Sequence, residues 1–231
     1  MLQALGIKES DEHAARVIEL AELHPSGHAS RQHILRAGTI VAQRRYTEID
    51  RSSAHVQTFT TSIVPGLLQS PRYMRAVFTS ADDLTPTEVD DLVAERSNRQ
   101  ALLGDTGERR YTQVMTEGAL RWNVGAAAMA EQLDHIAEVA RTAPATVQIG
   151  IIPWWRVIDT FPMVSINLYD QRAVIINTGN GVTHVTAPRE VAVFVEEFRH
   201  LCGLALFGED AAAEADRIGS EYRHLAAKEV S

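Results

Sequence analysis

Apolar positions along the chain recur with two periods, and the switch between them divides it. Near the start, Ala14, Val17, Ile18 and Ala21 fall three and four apart behind Ser10-Asp11-Glu12. That spacing after a capping sequence predicts a helix, which ends before Pro25-Ser26-Gly27. A looser stripe of Ile34, Ala37, Val41, Tyr46 and Ile49 predicts one or two further helices, interrupted near Gly38. Thr58 to Val64 is β-branched and apolar, as a strand end is. Pro65-Gly66 breaks it: proline fixes φ and glycine permits a positive φ. Ser70 then caps a helix with Pro71 in its first turn, running through Tyr73, Met74 and Val77.

The second half keeps alternating. Thr85-Pro86 opens a helix carrying Val89, Leu92, Val93 and Leu103, on which Glu95 and Arg99 are spaced for an i,i+4 pair. Tyr111–Thr116 has the period of a strand, with Glu117 at its end before a helix bearing Leu120 and Trp122. Met129, Leu133, Ile136, Ala137 and Ala140 define a helix closed by Pro144, and Thr146–Ile152 a strand. Met163–Tyr169 and Arg172–Asn177 form a predicted hairpin about Asp170-Gln171, and Val182–Thr186 a further short strand. Val191, Phe194, Val195, Phe198, Leu201, Cys202 and Ala205 mark a helix packed on the sheet, with Cys202 a small core residue. Beyond it an Ala-rich charged helix, Glu209 to Ser231, either packs on a second copy or frays. The predicted architecture is α+β: a helical lead over 1–53, then over 54–231 a mixed, mostly antiparallel sheet of about five strands against helices.

The 231 residues suffice for a substantial core, and the 45% apolar share is that of a globular domain. A net charge of −8 argues against a phosphate-binding surface over the whole molecule. Arg31, Arg36, Arg44, Arg45 and Arg51 cluster in the lead, where a solvated helix face accounts for them as well as a nucleic acid does. A single cysteine excludes an internal disulfide and suits the cytoplasm, and no apolar run reaches the length of a membrane span. His24, His28 and His33 lack the converging ligands of a zinc site, so no metal is expected. Asn177-Thr178-Gly179-Asn180-Gly181 lacks the lysine of a phosphate loop, and neither a nucleotide fingerprint nor a hydrolase elbow occurs, so no cofactor is expected.

The chemistry that remains gathers at the ends of predicted strands. Glu117 can hold a polar ligand or simply cap backbone N–H groups. Trp154 and Trp155 follow Pro153 at a strand end, where they either cover a cleft or plug the sheet edge. The expected site is a cleft bounded by Leu67, Tyr73, Glu117, Trp122 and Trp154 or Trp155. Glu117 paired with Asp159 or His184 would supply an acid and a base, should they meet.

Several of these segments also resemble a known family. Val64-Pro65-Gly66-Leu67-Leu68-Gln69 followed by Tyr73 and Arg75 is similar to the signature of a domain that follows an XRE-type helix-turn-helix in actinobacterial, antitoxin-like transcription regulators. Asn98-Arg99-Gln100, Glu117-Gly118-Ala119-Leu120, Gln132-Leu133 and Ile151-Ile152-Pro153 follow in the same order, then Phe161 opening a strand and Phe198–Leu206 as the closing helix. The resemblance implies an effector- or partner-binding module, homodimeric, taking a small molecule or a small partner protein. It reads 1–23 as the last helix of a DNA-binding domain whose earlier helices are missing, so DNA would be reached only through that missing part. The alternatives are a stand-alone protein that sequesters a small partner, or an enzyme recruited from the same pocket.

Overall fold

The computed structural model describes residues 31–80, 84–104, 107–178 and 181–229. Its centre is three parallel strands: β1 (His55–Thr60), β2 (Arg110–Thr116) and β3 (Val147–Ile152), paired in that order. Parallel neighbours need helical crossovers. Here α2 (Pro71–Thr79) and α3 (Pro86–Gln100) join β1 to β2, and α4 (Ala126–Thr142) joins β2 to β3. On the open edge of β1, the strands β4 (Ile166–Tyr169), β5 (Ala173–Thr178) and β6 (Gly181–Val185) add in succession, all antiparallel. The two-residue β7 (Leu206–Phe207) closes the other edge against β3. The helices α1 (Arg31–Ser52), α5 (Pro188–Leu204) and α6 (Gly208–Glu229) complete the described chain.

The class is α+β and most pairings are antiparallel, but the sheet has seven strands rather than five. Strand β7 escaped the sequence because two residues carry no periodicity. It is recognised only by its seat on β3, where a Cβ on Gly150 would stand 2.8 Å from the Phe207 ring. The absence of a side chain at Gly150 is what lets the edge close.

Alternation along the strands feeds two cores. One face, with Phe59, Val114, Leu168 and Val174, packs on Val191, Phe198 and Leu201 of α5. The other, with Val56, Tyr111, Met115 and Ile149, packs on Met129 and Leu133 of α4 and Ala215 and Ile218 of α6. The C-terminal helix is packed rather than frayed; its small residues lie against α4 of the same chain. Helix α1 runs through Gly38 without the expected interruption, and Ile49 near its end enters the main core. The predicted helix over Ser10–Ala21 and the histidines at 24 and 28 lie outside the described residues.

The turns follow their local chemistry. Thr85 and Glu88 form a reciprocal capping box at the start of α3, and Ser70 accepts the Tyr73 N–H at the start of α2. Asp170 and Gln171 both have positive φ, the two-residue turn expected between β4 and β5. Asp170 is suited to that conformation, and its carboxylate also accepts the His55 N–H at 2.7 Å, tying the turn to the start of β1.

The stretch Val64–Ser70 is a corner without strand or α-helix partners, and it is buried. Gly66 does not use a positive φ; it opens a single 3-10 turn, Gly66–Leu68. Three glutamines take up the backbone. Gln69 Nε2 donates to Val64 O at 2.7 Å, and Gln100 Nε2 to Gly66 O and Gln69 O at 3.2 and 2.7 Å. Gln132, wholly buried on α4, donates to Leu68 O and accepts from Ser70 N, both at 2.7 Å. Each unmet buried group costs about 1–3 kcal/mol. Gln132→Leu keeps the volume and strands two of them. Urea unfolding of this variant should show a loss of about 3 kcal/mol with an unchanged m-value; a loss below about 1 kcal/mol would mean the corner does not depend on this clasp.

Candidate functional site

The end of β2 runs directly into a 3-10 turn, Glu117–Leu120, at the same end of the sheet as the exit from β3. Glu117 is therefore carried beside the segment that begins Pro153-Trp154, and it is only 2% exposed. One carboxylate oxygen accepts from Arg121 Nε and Nη2 at 3.0 and 2.6 Å and from Arg217 Nη2 of α6 at 3.0 Å. The other accepts the backbone N–H of Trp154 at 2.9 Å. Burial by itself would raise the pKa of Glu117. The Trp154 N–H and the guanidinium groups of Arg121 and Arg217 outweigh burial and hold it below the usual carboxylate value.

Around this carboxylate the network widens. Arg121 also pairs with Glu221, and Arg217 with Glu214 and Glu221. Tyr222 donates to Arg121 O at 3.0 Å. The hub thus joins the end of β2, the exit from β3 and the last helix. The i,i+4 spacing of Glu117 and Arg121 was a legible signal for its first pair. Nothing in the sequence foretold Arg217, a hundred positions away.

The six expected site residues separate into three groups. Leu67 and Tyr73 are core residues, 3% and 2% exposed, with the Tyr73 hydroxyl accepting the Val64 N–H at 3.4 Å. Glu117 and Trp154 do meet, but through the Trp154 backbone. The rings of Trp122, Trp154 and Trp155 are 66%, 65% and 61% exposed, so the tryptophans do not plug the sheet edge. Arg121 stacks over the Trp154 ring at 5.2 Å and Arg156 over Trp155 at 4.8 Å.

The segment that follows, 153–165, carries further exposed apolar side chains: Val157, Phe161 and Met163. Phe161 stands in this loop and does not open a strand, since pairing with β1 starts only at Ile166. The loop is fastened to α5: Arg156 Nε donates to Leu204 O at 3.1 Å, and Asp159 faces His200 Nε2 at 2.7 Å. Asp159 accordingly partners His200, not Glu117, and His184 lies across the sheet on β6. Cys202 is partly buried against the α5 core and its thiol is pushed up to about 11 by burial, as suits a packing residue. A second expected contact also changes partner. Arg99 bonds the fully buried Asp50 of α1 at 2.7 Å, while Glu95 pairs with Arg44.

A mixed sheet between helices, with an apolar loop held at one end by an ion-paired hub, defines an α+β domain. Residues 43–215 match a family described as a domain of unknown function (DUF5753), and the chain belongs to that family. No curated protein matches the chain, and no solved structure does. Among the described residues no helix is long and apolar enough to cross a membrane.

Glu117→Gln tests the hub. Hydrogen bonds to charged groups contribute about 1.5–3 kcal/mol, and Arg121 and Arg217 stay partly solvated, so the expected loss at neutral pH is about 2 kcal/mol. Because the folded pKa of Glu117 is depressed, the wild-type contribution is present above the unfolded value and lost as pH falls through the folded one. Urea midpoints of the two proteins should therefore differ at pH 7 and draw together as the pH falls below the ordinary carboxylate value towards the depressed folded one. A constant difference across that range would show that the charge is not what stabilises.

Proposed function

We propose that this chain is the effector- or partner-binding module of an XRE-type, antitoxin-like transcriptional regulator, acting in the cytoplasm. DNA would be read by a domain other than the described one. The observation that carries the reading is the loop after β3. Phe161 and Met163 are 74% and 84% exposed there, beside the outward tryptophans, on a backbone anchored by Glu117, Leu204 and His200. Clustered exposed aromatic and methionine side chains on a fixed support are the composition of interaction surfaces. A flexible loop would forfeit part of the binding energy in ordering; this one is held beforehand.

The partner chosen for the test is a second copy, because regulators of this kind are symmetric dimers. The same surface would serve a stand-alone protein that sequesters a small partner. The recruited-enzyme reading draws less support. Both Glu117 oxygens are taken by donors that keep it ionised, so it is badly placed to exchange a proton near neutral pH.

Sedimentation velocity over a wide concentration range should show a dimer for the wild type and a monomer for Trp155→Ser/Phe161→Ser. Both side chains are exposed, so the urea midpoint of the double variant should not fall. A wild type that remains monomeric at every concentration would sink the homodimer reading. A dimer untouched by the double substitution would place the interface elsewhere.

A further inference from the structure

The large apolar side chains that stand exposed are gathered at one end of the molecule. Of the ten among the described residues, eight follow the C-terminal ends of the three parallel strands. They include Ile63 after β1, Trp122 after β2, and Trp154, Trp155, Phe161 and Met163 after β3. Hydrogen bonds draw the three exits together. The Thr61 carbonyl accepts from Thr116 Oγ1 at 2.8 Å, its N–H donates to Ser165 Oγ at 3.2 Å, and Glu117 holds the Trp154 N–H. Apolar side chains scattered singly need no explanation, whereas a cluster on a fixed support marks an interaction site. Arg156 adds a charge to it. Its guanidinium stacks over the Trp155 ring and donates to Leu204 O, and among the described residues no carboxylate lies within ion-pair distance of it.

The chain itself supplies an occupant at this end. Helix α1 finishes just before the start of β1, whereas Gln43, earlier on the helix, meets Arg96, which in turn bonds Gln69 of the corner that follows β1. Helix α1 therefore runs against β1, its start is directed towards the exit end, and residues 1–30 join the described chain there. Within them Ala14, Val17, Ile18 and Ala21 repeat at three and four. Asp11, Ile18 and Glu22 fall at i, i+7 and i+11, which on a helix lines one border of that apolar stripe with carboxylates. Residues 24–30 span at most about 25 Å, and 10–23 as a helix about 21 Å. A domain of this size has a radius of gyration of about 16 Å, so the segment is long enough to lie across the exit end.

We propose that segment 10–23 is the occupant of this face, with its apolar stripe laid on the tryptophans, Phe161 and Met163 and its acidic border towards Arg156. Shape and charge agree: an amphipathic helix with carboxylates along one side meets an apolar surface that carries an unanswered cation. The proposal rests on reading the loop as an interaction surface but not on the homodimer, because the segment can serve its own copy or cross to a second one. Any other partner of this surface then has to displace the segment, which couples the surface to the N-terminal part of the chain.

The three tryptophans of the chain all stand on this face, so tryptophan emission reports on it alone. Acrylamide quenching of the full chain should find them shielded, although the described residues leave each more than 60% exposed. Val17→Asp/Ile18→Asp breaks the stripe and should raise the quenching and shift the emission to the red, while urea unfolding stays cooperative. Val17→Ile/Ile18→Val keeps the stripe and should change neither. Glu22→Arg should raise the quenching in the same direction, which keeps the test open if the aspartate variant does not fold. Added to the aspartate variant, an amidated peptide of residues 10–23 should restore the shielding saturably at or below about 1 mM, the effective concentration of a tethered segment. Dilution identifies the donor, either result carrying the proposal: shielding that persists comes from the same copy, and shielding lost together with a dimer comes from the second. Shielding that survives Val17→Asp/Ile18→Asp, or Glu22→Arg where that variant does not fold, overturns the proposal and leaves the surface to a different occupant. Wild-type tryptophans as open to acrylamide as those of the aspartate variant overturn it as well. A dimer untouched by Trp155→Ser/Phe161→Ser, by contrast, bears on the homodimer reading alone.

Discussion

The constraint on which the rest depends is the hydrogen-bond balance of the corner Val64–Ser70. This backbone leaves the sheet and enters the core before a helix begins, where neither strand neighbours nor water can serve its polar groups. Side-chain amides serve them because a glutamine offers a donor and an acceptor together. The three come from the corner itself, from the end of α3 and from the middle of α4. Their bonds therefore set how both crossover helices sit on the sheet. Leu67, Leu68 and Tyr73 fill the core only because the chain between them can be buried at acceptable cost.

A second polar device stands at the same, C-terminal end of the parallel strands. Glu117 gathers two arginines and a backbone amide, and through them the exit of β3 and the last helix. Taking a carboxylate out of water is costly unless it is paired and hydrogen-bonded, and here both oxygens have donors. The consequence for function is rigidity under an exposed apolar loop. A surface of tryptophan, phenylalanine and methionine held in one conformation is what the proposed partner-binding role requires.

The sheet itself differs on its faces. Towards α5 it is aliphatic and aromatic, with Phe59, Ile166, Leu168 and Val174 making an ordinary core. Towards α1 it carries Thr58, Gln113, Asn167, Tyr111 and Tyr169, with the Asp50–Arg99 pair beside both tyrosines. Stability alone would favour apolar residues there. The polar face is the costlier choice.

Periodicity and capping were enough to determine most of the elements from α2 to α5 and the class of the fold, because those signals are local; the helix expected through Trp122 is a 3-10 turn ending at Leu120, and β4 starts only at Ile166. Ser70-Pro71, the Thr85–Glu88 box and Asp170-Gln171 act over a few residues, and each does in the structure what its chemistry requires. The corner at Pro65-Gly66 was legible as a break, although not as a 3-10 turn without a positive φ. Tertiary structure alone decided which polar groups meet. Arg99 left its neighbour Glu95 for Asp50, since a fully buried carboxylate attracts more strongly than a half-buried one four residues away. Glu117 found Arg217, and Phe207 found the bare Cα of Gly150, across separations on which no spacing rule bears. The expected pocket divided into core, hub and exposed loop for the same reason. Residue type indicates that a side chain is suited to a site, while the crossing of chain segments decides whether it faces solvent, a core or a counter-charge.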